Sequence, residues 1–234
     1  MSEFNRHKEM LALVAHALGD DLVAQTAFVG GCTTGLLITD DMSRENVRHT
    51  DDVDLIVSVI GYTGWHKFSE LLQARGFTIS MNDTVNCRFR LQGLQVDFMP
   101  DDAEVLGFSN RWYKQALHCA TNYELAAGTL VRLVTPAYFL ATKFEAFKGR
   151  GNNDLLGSHD IEDILNVIDG RESLLDELQS ADIELQNYLS TEANTLLAHR
   201  DTLYALQSTA NGNVDRQNLI YDRIDRISKL GAES

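Results

Sequence analysis

"VRHTDDVDLIVSV", residues 47–59, reads as an acidic approach to a buried strand. Three carboxylates, Asp51, Asp52 and Asp54, stand at the mouth of an apolar run. Side chains at i and i+2 on a strand share a face, so Asp52 and Asp54 point one way while Val53 and Leu55 point into the core. Neighbouring carboxylates repel, and they stay ionised together only when a positive charge meets them. Hard divalent cations with oxygen ligands suit that role. Mg²⁺ typically takes one or two carboxylates plus substrate phosphates.

A third acid has the same character. In "LQVDFMP", residues 94–100, Asp97 sits between core-like Val96 and Phe98. Aspartate is disfavoured inside strands, so its presence there needs a reason. If this strand neighbours the first, Asp52, Asp54 and Asp97 form a cluster able to hold two metals. Such a clamp serves in-line displacement at phosphorus. Upstream, "TAFVGG" is a short strand running into Gly30 and Gly31, with "CTTGLLI" as the first turns of a helix. Glycines there let backbone N–H groups approach an anion, and a helix N-terminus favours negative charge.

The order strand, Gly-Gly, helix, Asp-x-Asp, then a lone strand Asp resembles the nucleotidyltransferase superfamily with the DNA polymerase beta-type palm. Its pieces stand here as "VGG", "DVDL" and "QVDF". Cys32 occupies the position after the glycines, and Thr33 is the nearest hydroxyl for a phosphate contact. The spacer from Gly31 to Asp52 is longer than in minimal members. The resemblance implies Mg²⁺ in a two-metal site on Asp52, Asp54 and Asp97, with a nucleoside triphosphate (NTP) as donor.

A second cluster lies in "ATKFEAFKGRGNNDLLGSHDIEDI". Lys143 stands in an otherwise apolar helix pattern with Leu140, Phe144 and Phe147, so it either snorkels or meets an anion. Arg150 is two helical turns on and shares its face; arginine suits bidentate phosphate contact. Asp160 and Asp163 share a face of the next helix, placed to position Lys143 or take a proton. "KFEAFKGR" and "HDIEDIL" are similar to the corresponding motifs of AbiEii-type nucleotidyltransferase toxins. That resemblance, over roughly residues 26–168, implies that Lys143 and Arg150 hold triphosphate and that Lys143 and Asp160 take part in catalysis. It implies transfer of NMP to an acceptor hydroxyl, a tRNA 3′ end or a protein, in a toxin-antitoxin or phage-defence setting with a cognate antitoxin. A catalytically silent nucleotide- or protein-binding relative and an antibiotic-modifying (aminoglycoside-like) enzyme acting on a small molecule are the alternatives.

Of 234 residues, 44% are hydrophobic and 23% charged, enough for a substantial core. The formal net charge of −14 repels phosphate backbones and argues against broad DNA binding. Three cysteines without paired spacing give no support to a disulfide framework or a zinc site. No apolar run reaches the roughly 18 residues of a membrane helix, and the expectation is a cytoplasmic protein with no membrane partner. The expected class is α+β. Residues 1–134 form a nucleotidyltransferase palm domain, with a mixed or antiparallel sheet and flanking helices, and residues 135–234 a helical C-terminal domain. The periodicity predicts one long helix over 181–207, and Pro136 and Ser158 mark two helix starts.

Overall fold

The computed structural model describes residues 2–231 apart from 82, 84, 108 and 127. In chain order the elements are α1 (Glu3–Val23), β1 (Thr26–Val29), a 3-10 turn (Gly31–Thr33), α2 (Thr34–Leu37), α3 (Asp41–Arg44), β2 (Asp52–Val57) and α4 (Gly61–Ala74). Then come β3 (Arg88–Leu91), β4 (Leu94–Pro100), α5 (Ala103–Leu106), α6 (Tyr113–His118), β5 (Thr121–Ala126) and β6 (Thr129–Leu133). Six helices follow: α7 (Pro136–Arg150), α8 (His159–Gly170), α9 (Leu174–Gln179), α10 (Ile183–Ala198), α11 (Thr202–Thr209) and α12 (Val214–Ile227). The class is α+β, with a six-stranded mixed sheet and flanking helices. No described helix is long and apolar enough to cross a membrane.

The chain forms two compact units. The first, residues 1–33 and 48–135, holds the whole sheet, ordered β3-β4-β2-β1-β6-β5. β2 pairs parallel with β4 and antiparallel with β1, while β3 and β4 form an antiparallel hairpin. Its turn is Gln92-Gly93, both at positive φ, 51° and 90°, the conformation that two-residue hairpin turns require. One sheet face is apolar. Val53, Leu55, Val96 and Phe98 are fully buried there. Phe68 of α4, Phe77 and Phe89 set their rings edge-on to Phe98 at centroid distances of 5.5, 5.5 and 5.6 Å, a favoured geometry for aromatic rings. This cluster anchors β4 from below, and the alternation of the strand then turns Asp97 to the other face.

The second unit comprises residues 34–47 and 136–234. Residues 34–47, expected in the N-terminal domain, pack with the helices of this unit. Backbone N–H groups of Thr39 and Asp40 both donate to the carbonyl of Gly170, each at 2.9 Å. Arg171 of the α8 C-terminus donates to the carbonyl of Leu37 at 2.8 Å. Ser158 caps α8 by accepting from Ile161 N–H, and α7 begins at Pro136. The expected long helix over 181–207 is instead two, α10 and α11. The break falls where the Thr202 hydroxyl turns back onto the carbonyls of Leu196 and His199 and supplies them with a donor. In the first unit, Gly19 adopts φ 66°, ψ 165°. It kinks α1 and a last turn follows, where the sequence predicted a stop.

Candidate functional site

The register of three strands builds the site. β2 and β4 run parallel with Asp54 opposite Asp97 and Asp52 opposite Gln95. In-register neighbours share a face, so Asp52, Asp54 and Asp97 lie together on the face opposite the aromatic cluster. One carboxylate oxygen of each lies within 4.8 Å of the other two. Asp97 is buried and the pair on β2 is half-buried. Three hard oxygen donors at this separation could hold a metal ion, and Mg²⁺ and Mn²⁺ favour such ligands.

Gly30 adjoins the same cluster. It adopts φ 81°, and a Cβ placed on it would overlap the Asp54 carboxylate. Glycine is therefore required twice over, by backbone conformation and by the acid beside it. The helix expected after the glycines is a 3-10 turn followed by the four residues of α2. So short an element carries little macrodipole. Thr33 is fully buried and donates its hydroxyl to the carbonyl of Gly30 at 2.8 Å, so it closes the glycine turn. The Cys32 thiol is driven far above its ordinary pKa, first by burial and then by the charges of Asp54 and Asp52, which keeps it protonated.

Asp51 is turned away from the cluster by strand alternation. It accepts from Arg6 at 2.5 Å and lies 3.1 Å from His49. Asp52 accepts from the Thr50 hydroxyl.

Arg88 is the residue that sequence reading missed. It lies opposite Asp97 in the hairpin register. Its Nε donates to Asp97 Oδ1 at 2.8 Å and its Nη2 to Oδ2 at 2.7 Å, a bidentate fork. These hydrogen bonds raise the guanidinium pKa further above its ordinary value. Arg88 is thus a positive charge that already meets the acids. The signal was present in "CRFRLQGLQVD" as an arginine on the hairpin partner of the aspartate. It becomes readable only once the turn, and hence the register, is fixed.

No family model and no curated protein matches this chain.

The second cluster lies in the helical unit. Lys143 is buried, its Nζ donating to Asp163 at 2.7 Å and Asp160 at 3.1 Å. Asp160 also accepts from Arg150 Nε at 2.9 Å and Nη2 at 2.8 Å. Asp163 is fully buried and accepts from the Thr34 hydroxyl at 3.1 Å. Burial pushes the Asp160 carboxyl up, but hydrogen bonding by Arg150 and the charge of Lys143 outweigh it, and its pKa falls below the ordinary value. Two cations and two carboxylates balance. Lys143 and Arg150, expected to hold triphosphate, are engaged with the acids the sequence placed beside them. A cavity of about 570 Å³ in this unit is lined by Asn46, Ser158, Glu162, Asn166 and Tyr204 among others, and by none of the candidate residues.

Proposed function

We propose that the chain is a Mg²⁺-dependent nucleotidyltransferase of the palm type. One observation carries the reading: the carboxylates of Asp52, Asp54 and Asp97, from strands far apart in sequence, converge within 4.8 Å beside a glycine turn. The donor set fits Mg²⁺, with Asp52 and Asp54 presented side by side from one strand and Asp97 from the next. Bound there, the metal would neutralise triphosphate charge and acidify an acceptor hydroxyl. The acceptor hydroxyl would release its proton to solvent as its oxygen bonds the α-phosphorus, the bond to the bridging oxygen breaks, and pyrophosphate leaves. The turn at Gly30 and Gly31 would offer backbone N–H groups to a phosphate, and the lack of a side chain at Gly30 lets the Asp54 carboxylate lie directly against it. Lys143 and Arg150 remain candidate triphosphate ligands, now with Asp160 and Asp163 as their resting partners. The acceptor class proposed is a tRNA 3′ end or a protein hydroxyl, in a toxin whose cognate antitoxin would restrain it. An aminoglycoside-like cation would also suit the acidic surface.

The test supplies each labelled NTP, with Mg²⁺, to the protein and a cell extract. Label should reach an acceptor with wild type and not with Asp54→Ala. Equal labelling by the variant, or none by either protein with any NTP, overturns the proposal. The grip of Arg88 on Asp97 favours one rival, a silent relative in which arginine replaces the cation. Nucleotide binding that ignores Mg²⁺ in calorimetry would select it.

A further inference from the structure

We infer that Arg88 is a built-in rival of the cation at Asp97, so that the guanidinium weakens the hold of the third carboxylate on a metal. The inference rests on the metal-binding reading of the triad. Three observations carry it. Both Asp97 oxygens are taken by the arginine fork, at 2.8 and 2.7 Å. Asp97 is buried and the Arg88 side chain retains only 24% of its exposure, so this is no loose surface pair. The strand register sets Arg88 directly across from Asp97 and on the same face as Asp52 and Asp54.

The physical consequence follows from charge and geometry. Three carboxylates this close repel, and the guanidinium relieves part of that repulsion. A bidentate fork uses an oxygen lone pair on each side of the carboxylate. An arriving cation therefore shares Asp97 with the fork, meeting oxygens that each already accept one N–H and staying beside a fixed positive charge. Arg88 is on this account a positioning residue, since it acts through Asp97.

The same strand supplies the control. Arg90 lies two residues on and shares the Arg88 face. It is bonded to a different carboxylate, Asp83, at 3.0 and 2.6 Å. Removing it changes the net charge equally and leaves the hydrogen-bond fork on Asp97 intact.

Mn²⁺ binding, read from the resonance signal of the free ion, tests the inference without any appeal to activity. Arg88→Gln should bind Mn²⁺ about tenfold more tightly than wild type, the scale of removing one nearby charge. Arg88→Lys, which keeps the charge and loses the fork, should shift the same way by less and serves if the glutamine variant does not fold. Arg90→Gln should stay within about twofold of wild type. Unchanged or weaker binding by both Arg88 variants, or equal tightening by Arg90→Gln, overturns the inference. The failure of the underlying reading looks different: wild type and Asp54→Asn would then show the same weak, unsaturable uptake.

Discussion

Gly30 and Asp54 define each other. The glycine is needed because the acid fills the space a side chain would take, and the acid is held on its face by a strand whose alternate residues are fully buried. Gly30→Ala is expected to destabilise the fold by about 1–3 kcal/mol through its backbone conformation alone. It should also displace Asp54 and weaken Mn²⁺ binding at least as much as Asp54→Asn does. Chemical denaturation and the Mn²⁺ titration measure the two effects separately. At this scale the sequence was most informative about acids and glycines, because their residue types conflict with a buried strand and a regular turn. It was silent on Arg88, since an arginine in an alternating hairpin strand reads as an ordinary solvent-facing residue until its partner is known.

The element that positions the centre is the parallel pair β2–β4, and its anchor is Phe98. Phe98→Ala removes three edge-on ring contacts from a fully buried site. A loss of about 3–5 kcal/mol in denaturant unfolding is expected, with weakened Mn²⁺ binding wherever the variant still folds, because Asp97 sits on the same strand. In the helical unit, α7 and α8 are joined by Lys143 between Asp160 and Asp163. Lys143→Met would leave two buried acids short of a cation and should destabilise by about 3–5 kcal/mol. A much smaller loss would show that the cluster is wet and open to a ligand. Some elements were legible from period and caps, such as α8 behind Ser158 and β4 through its alternation. β5 was not, since of "TNYELA" only Leu125 is buried and the strand shows no apolar stripe. The break between α10 and α11 carries no glycine or proline, so nothing in the local sequence announces it.

For the molecule as a whole, the instructive feature is residues 34–47, which leave the sheet unit after Thr33 and return at Arg48. This is the physical content of the long spacer between Gly31 and Asp52. It went unrecognised because the contacts that hold it lie more than a hundred residues ahead. Arg216 of α12 binds Asp40 at 2.5 Å and Asp169 at 2.6 Å. Hydrogen bonds from Ser43 and Arg216 hold the Asp40 carboxyl down at about 2, against an ordinary 3.8. A depressed carboxyl stabilises the fold above its ordinary pKa, and that contribution is lost as pH falls through the folded value. Asp40→Asn should therefore cost about 1 kcal/mol at pH 6, an amount reduced for partial exposure. The gap from wild type should narrow between pH 4 and pH 2 and vanish below, as followed by denaturation across that range. A difference that persists in acid would mean the aspartate acts by shape alone.

That excursion also sets an order of events during synthesis. The strand after it can pair with the strand before it as soon as both have left the ribosome, whereas residues 34–47 must wait for Gly170 and then Arg216. Until α12 emerges, Asp40 and Ser43 lack their Arg216 partner, and the segment is held by its local turn and by the end of α8, more open to proteases and chaperones. A chain halted before residue 214 would thus expose a defect some 170 residues upstream of the cut, near Asp40 rather than near its new end.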